Sequence, residues 1–142
     1  MLKFFRFIKY VKYKRICLAV LLYSCYYRIL IKFANINSQH KRWGEEGRES
    51  EPADTREHYV YASKVAYAVE KICSRTPWKS KCLVRALSAQ KVLSNKGIHT
   101  TLYLGCKMLD GSMVAHAWLR CGGYYVTGGN GEEYTTVSKF YK

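Results

Sequence analysis

The apolar residues of this chain change period once, near Ile98, and that change decides its fold class. Upstream, Tyr59, Ala62, Val65, Ala66, Val69, Ile72 and Cys73 keep the spacing of one helix face, and Leu83, Ala86, Leu87, Ala89, Val92 and Leu93 do so in a second run. Downstream, "IHTTLYLGCKM", "SMVAHAWLR" and "YYVT" alternate with a period of two, joined at Asp110-Gly111 and Gly122-Gly123. Two helices followed by three strands, the first two meeting at a D-G turn, predict an α+β domain with helices packed on a small antiparallel sheet.

Local signals place the boundaries. Asp54 with Glu57 three residues later has the form of a capping box, and Pro77 lies just after the helix it opens. Ser80 is the expected N-cap of the second helix and Gly97 its end. Residues 35–57, "NINSQHKRWGEEGRESEPADTRE", are polar and aperiodic, which predicts a linker. Residues 1–34 read as a basic, apolar helical segment, so the expected organisation is that segment, the linker at 35–57 and a core at 58–142. A chain of 142 residues is long enough for one domain with its own core.

The N-terminal segment resembles a signal peptide in outline, but Tyr23, two residues before Cys25, is a poor fit to the small residues of a lipoprotein cleavage site. Its uncharged run, Ile16 to Tyr27, is twelve residues long. A spanning helix needs ~20. Lys3, Arg6, Lys9, Lys12 and Arg15 recur every third residue, which winds charge around a helix instead of gathering it on one face. Contact with a membrane surface is left open.

Net charge is +14, from 24 basic and 10 acidic side chains, so an anionic partner must be weighed. Residues 1–34 hold eight basic residues and no acid, while 41–57 hold six of the ten acids. The excess is otherwise spread, and no RNP, KH or helix-turn-helix signature accompanies it, so nucleic acid is not expected. The six cysteines are scattered without a C-x-x-C pair and mostly lie in apolar patterns, which predicts reduced thiols and a cytoplasmic protein. No metal site is expected, since neither the cysteines nor the four histidines show ligand spacing.

Cys82 stands apart. With Ser80 as cap it falls in the first helical turn, where free amides, the helix dipole, Lys79 and Lys81 all favour a thiolate. Its own amide is placed to donate to an oxyanion. Taken alone, it reads more readily as a packed cysteine on the face of Ala86 and Ala89. His116 supplies the candidate base, in the middle of the apolar "MVAHAWLRC", where an imidazole needs a hydrogen-bond partner. His40, His58 and His99 have weaker claims. With a two-residue D-G turn, His116 lies opposite Gly105, and Tyr103 pairs with Trp118. On the other side a two-residue Gly122-Gly123 loop sets Gly129 opposite His116, and a three-residue loop sets Gly128 there. Glycine on both flanks would let a helix end approach.

"PWKSKCLVRALSAQKVLSNKGIHTTLYLGCK" and "VAHAWLRCGGYYVTGG" resemble the leader peptidases of lasso-peptide biosynthesis, in the transglutaminase-like cysteine-protease superfamily with its papain-like core. The similarity runs from about Tyr59 to Phe140 and is most specific in "PWKSKCL" and "AHAWL". It implies Cys82 as nucleophile, His116 as base, no cofactor, and hydrolysis of one peptide bond in a precursor peptide. The freed amine would then pass to a separate asparagine-synthetase-like cyclase for macrolactam formation; the chain itself shows no P-loop. Such peptidases carry a small leader-recognition domain or work beside one. Residues 1–57 do not read as that domain, so a separate recognition protein is expected.

The family's third group is commonly an Asp on the next strand, and the matching position here is Gly128. Asn130 is the favoured substitute, since a three-residue loop sets it on the face of His116, where its amide oxygen can hold the ring. A backbone carbonyl ranks next, with Thr127, Glu132 and Glu133 as alternatives. Asp110 is held ~20 Å away by the D-G turn. Two other classes stay in view: an amide-forming acyltransferase with the same thiol chemistry, and a basic RNA- or lipid-binding module whose thirteen tyrosines could stack on bases.

Overall fold

A computed structural model describes residues 2–34, 39–77 and 80–142, with the side chains of residues 2, 4–12 and 40 set aside. Arg6, Lys9 and Lys12, whose charges the three-residue spacing is expected to wind around the first helix, have side chains outside the described ones. Among the described residues the chain forms three helices, α1 (Leu2–Phe33), α2 (Arg56–Cys73) and α3 (Cys82–Asn95). Five strands follow the order β1 (Glu45–Glu46), β2 (Thr101–Leu109), β3 (Ser112–Cys121), β4 (Tyr124–Thr127) and β5 (Thr135–Tyr141). They make one antiparallel sheet in the spatial order β1-β5-β2-β3-β4, with helices packed on it, the α+β arrangement expected.

Helix α3 is the centre of the molecule. Val84, Ser88 and Gln90 are buried along with the apolar face anticipated for it, because α1 and α2 cover the sides that the sheet does not. Its buried polar groups are satisfied: Ser88 Oγ donates to the Val84 carbonyl at 2.7 Å, and Gln90 Nε2 donates to the Trp43 carbonyl at 2.9 Å. The helix ends where Gly97 takes φ +76° and the Ile98 amide returns to the Leu93 carbonyl at 3.0 Å.

Helix α1 joins this core. Ile16, Val20, Ser24 and Tyr27 are buried at steps of four, four and three, and the helix packs on both α2 and α3. Burial pushes the Tyr27 phenol up to about 12. Residues 39–57 carry more structure than the expected linker. Trp43 is 2% exposed and packs edge-on against Phe140 at 5.5 Å, β1 pairs with β5, and Ser50 bonds Thr101. A buried aromatic side chain of this size is worth about 3–5 kcal/mol against alanine, enough to hold the segment down.

The two faces of the sheet differ. Along β3, Ala117, Leu119 and Cys121 are buried in the cluster with the helices, whereas His116, Trp118 and Arg120 alternate onto the other face. That second face is covered by residues 48–54 and 128–134. Arg120 donates to the Ser50 carbonyl at 3.0 Å, the Gly122 carbonyl at 2.7 Å and the Tyr103 hydroxyl at 3.0 Å, while Tyr103 donates to Glu49 at 2.7 Å. The cap of α2 also shifts by one residue. Thr55, not Asp54, is the N-cap and accepts from the His58 amide, leaving Asp54 free for other partners.

Candidate active site

Cys82 is the first residue of α3, and its N-cap is Lys81, in extended backbone at φ −77°, ψ 179°. Ser80, expected there, instead turns its hydroxyl to Thr76 at 3.3 Å and gives its carbonyl to Arg85 Nε at 2.9 Å. Arg85 also pairs with Glu70 at 2.8 Å, so the turn before Cys82 is tied back to α2. Lysine has no acceptor to cap with, and no side-chain cap bond is present among the described residues. The first amides of α3 are therefore left without a cap, at the positive end of the helix dipole. Such amides can hold a developing oxyanion, which a serine cap would have competed for. Trp78 and Lys79 lie outside the described residues.

His116 sits on β3 in the register anticipated, opposite Gly105, with Tyr103 opposite Trp118. The Asp110-Gly111 turn has φ of +50° and +80°. That conformation suits a two-residue hairpin. The imidazole is stacked on Tyr134 at 4.6 Å and flanked by Trp118 at 6.0 Å. Gly105 leaves the room: a Cβ there would meet the Trp118 ring at 2.8 Å.

His116 Nε2 lies 2.7 Å from the Gly128 carbonyl oxygen. A carbonyl only accepts, so Nε2 carries the proton and Nδ1 of the neutral ring holds the lone pair. The group that orients the ring is thus the main chain at the position where the resemblance expects an acid. Asn130 does not take that place. Its Oδ1 accepts from the Glu132 amide at 3.1 Å, closing a local turn. Glu133 pairs with Lys107 at 2.9 Å, and the Thr127 hydroxyl is buried without a partner. The cause is that β4 ends before Asn130. The Gly122-Gly123 loop has two residues, since Cys121 faces Tyr124, but the register slips between Arg120 and Leu119, and β4 stops at Thr127. Gly128 then turns at φ +76° and passes so close to β3 that a Cβ would lie 2.5 Å from the Ala117 carbonyl oxygen.

The packing of α3 on β3 brings the elements carrying Cys82 and His116 together, but no hydrogen bond joins the two side chains among the described residues. Alternation puts the imidazole on the face away from Ala117 and Leu119, where the helices pack. Beyond Leu119, β3 has no strand beside it on the β4 side, and the chain there reads Gly128-Gly129-Asn130-Gly131. That glycine-rich turn packs against this edge, its Gly128 against Ala117 and Trp118.

A second cysteine, histidine and carboxylate meet elsewhere. Cys121 Sγ is 3.7 Å from Asp54 Oδ2, and His58 Nδ1 is 2.6 Å from Asp54 Oδ1. Here the carboxylate lies between thiol and imidazole. Burial, then the charge of Asp54, pushes the Cys121 thiol up to about 12, so it is no nucleophile at neutral pH. The remaining histidine described, His99, is exposed and stacks on Tyr141 at 5.2 Å. The raised Cys121 value has a consequence for stability. Above its ordinary value of 9.0 the unfolded chain gives up the thiol proton while the folded chain keeps it. Stability is then full below that value and falls as pH rises toward about 12. Its slope should be roughly 1.4 kcal/mol per pH unit. Tyr13 and Tyr27, raised from 10.0 to about 12, add loss in the same direction. Urea midpoints should fall from about pH 8 to about pH 10, and Cys121→Ala should fall less steeply.

Comparison with curated proteins and with solved structures gives no match. The family described as the Transglutaminase-like superfamily matches residues 25–139, from the last third of α1 into β5. That span includes the uncapped helix start at Cys82, the His116 strand and the glycine run beside it. The chain belongs to the transglutaminase-like superfamily, whose membership points to acyl-transfer chemistry at a cysteine.

Proposed function

We propose that this protein is a cysteine peptidase that removes the leader from a lasso-peptide precursor, with Cys82 as nucleophile and His116 as base. The observation that carries the reading is the bond from His116 Nε2 to the Gly128 carbonyl, which sets the tautomer and leaves Nδ1 as a proton acceptor. The peptide bond would lie along the edge of β3 that no strand pairs, beside the glycine-rich turn. His116 Nδ1 takes the Cys82 proton, the thiolate adds to the scissile carbonyl, and the uncapped amides of α3 receive the oxyanion. The imidazolium then protonates the leaving amine as the C–N bond breaks. Water, deprotonated by the same imidazole, cleaves the thioester and restores the thiol.

Leader specificity in this reading rests on "PWKSKCL" and "AHAWL". A separate recognition protein fits the packing, because residues 39–57 are spent on the sheet and form no domain of their own among the described residues. The freed core would pass to a separate cyclase. The test is mass spectrometry of a short precursor encoded beside this gene, incubated with the protein alone, with the recognition protein, and with an added primary amine. Cleavage at one bond, greatly accelerated by the recognition protein, is the expected result. Amine incorporation without hydrolysis would make the chain an acyltransferase, and an untouched precursor in all arms would end the peptidase reading.

A further inference from the structure

Helix α1 is apolar on two sides, and the core covers one. On the other, Leu18, Leu22, Tyr26, Ile29 and Phe33 are all exposed, Phe33 to 77%. Steps of four, four, three and four keep them within about a quarter of the helix circumference, as a strip about 22 Å long. The stretch Tyr13–Phe33 is long and apolar enough to cross a bilayer, but Val20 and Tyr27 are packed into the core. The helix can lie on a membrane, not across it.

Charge names the partner. The first acidic residue of the chain is Glu45, and ten lysines and arginines precede it. Lys14, Arg15 and Lys32 are exposed on α1 itself, and Lys32 holds its ammonium 5.4 Å from the Phe33 ring centre. Beside the strip is a cavity of about 540 Å³ lined by Leu22, Tyr26 and Leu30 together with Arg42, Lys91 and Lys142, and by no acidic side chain. Arg42 reaches the Tyr26 hydroxyl at 3.4 Å, so this cationic group borders the apolar strip directly.

We propose that this face of α1 rests in the plane of an anionic lipid bilayer, its strip in the acyl boundary and its lysines and arginines on the lipid phosphates. A continuous strip on one helix, edged by a single sign of charge, matches a planar interface. An acidic protein partner is the competing occupant.

The experiment is flotation of the full chain with vesicles of phosphatidylcholine alone, or mixed with phosphatidylglycerol, at ~0.05 M and ~0.5 M salt. Partition should be at least about tenfold greater on the anionic vesicles at low salt, and should fall as salt rises. Leu22→Glu with Ile29→Glu should lower it at least about tenfold while the circular dichroism and melting of the parent are kept, both sites being exposed. Leu18→Ser with Phe33→Ser should act in the same direction, should the first pair fail to fold. Equal partition on both vesicle types, or full partition of the folded variants, would overturn the proposal. So would an absence of vesicle binding with a parent dimer that the variants dissociate, which would make the strip a contact between copies. Cys82→Ala should float like the parent, so the outcome is independent of the peptidase reading.

Discussion

Cys82→Ala is expected to lower precursor cleavage by at least ~10⁴-fold while the protein melts within a few degrees of the parent. The two halves of this expectation have separate causes. The side chain is half-buried at the first position of α3 and makes no hydrogen bond among the described residues, so its loss removes a few contacts and leaves a residue of higher helix propensity. The cost to folding is under about 1 kcal/mol. The proposed chemistry loses its nucleophile altogether. In the proposed mechanism thiol and imidazole act as one unit, so His116→Ala in the Cys82→Ala background should add almost nothing to the loss. That non-additivity tests the pairing directly, which matters because no hydrogen bond joins the two side chains. Cys121→Ala is the control, and it should cleave like the parent. Iodoacetamide should label Cys82 ahead of Cys73 and Cys121, whose thiols are buried and shifted upward by that burial. Unchanged cleavage in Cys82→Ala would remove the mechanism. Loss in Cys121→Ala with the fold intact would move the nucleophile to the Asp54 cluster.

The parts of the site that follow from periodicity were legible in the sequence. A D-G turn and two alternating runs are enough to pair Gly105 with His116 and Tyr103 with Trp118, and the sheet has that register. The bulge at Val126 leaves no mark in an apolar pattern, since one extra residue in a four-residue strand looks like any other. Strand β4 ends at Thr127, and the turn at Gly128 puts a carbonyl, not Asn130, at the imidazole. Strand β5 escaped for a different reason. Only Phe140 in "TTVSKFY" is buried, so the segment has no clear alternation, and its partner β2 supplies the pairing. Trp43 is the available signal for the structure in residues 39–57, the one large aromatic residue in a run otherwise of polar side chains, glycine, Pro52 and Ala53. Each helix cap lies one residue beyond the one the sequence suggests. Asp54 and Ser80 are good capping types, but each is engaged with the chain beside it, and the helices begin after Thr55 and Lys81.

Gly128→Ala should reduce kcat by on the order of 10²–10³-fold with KM held within a few-fold, while Asn130→Ala stays near the parent. At Gly128 a Cβ would meet the Ala117 carbonyl oxygen at 2.5 Å and Trp118 Cβ at 2.8 Å, and neither the backbone of a paired strand nor a buried tryptophan yields cheaply. The peptide after Gly128 must move, and its carbonyl leaves Nε2. The imidazole then loses the bond that selects its tautomer. The same crowding explains why a carboxylate could not be restored here by substitution alone, since an aspartate carries that Cβ too. A neutral carbonyl stabilises the imidazolium less than a carboxylate, so the parent's own turnover should be slow. Gly129→Ala separates the causes. Gly129 has φ +74°, nearly that of Gly128, but no atom lies within 4 Å of a Cβ there. Both alanines pay the left-handed backbone cost of about 1–2 kcal/mol, and only one disturbs the approach to β3. Cleavage should therefore survive in Gly129→Ala at the melting temperature that strain allows. Equal kcat in the two alanine variants would show that the Gly128 carbonyl does not orient the ring. A large fall in Asn130→Ala, whose exposed side chain bonds only its own turn, would return that role to its amide.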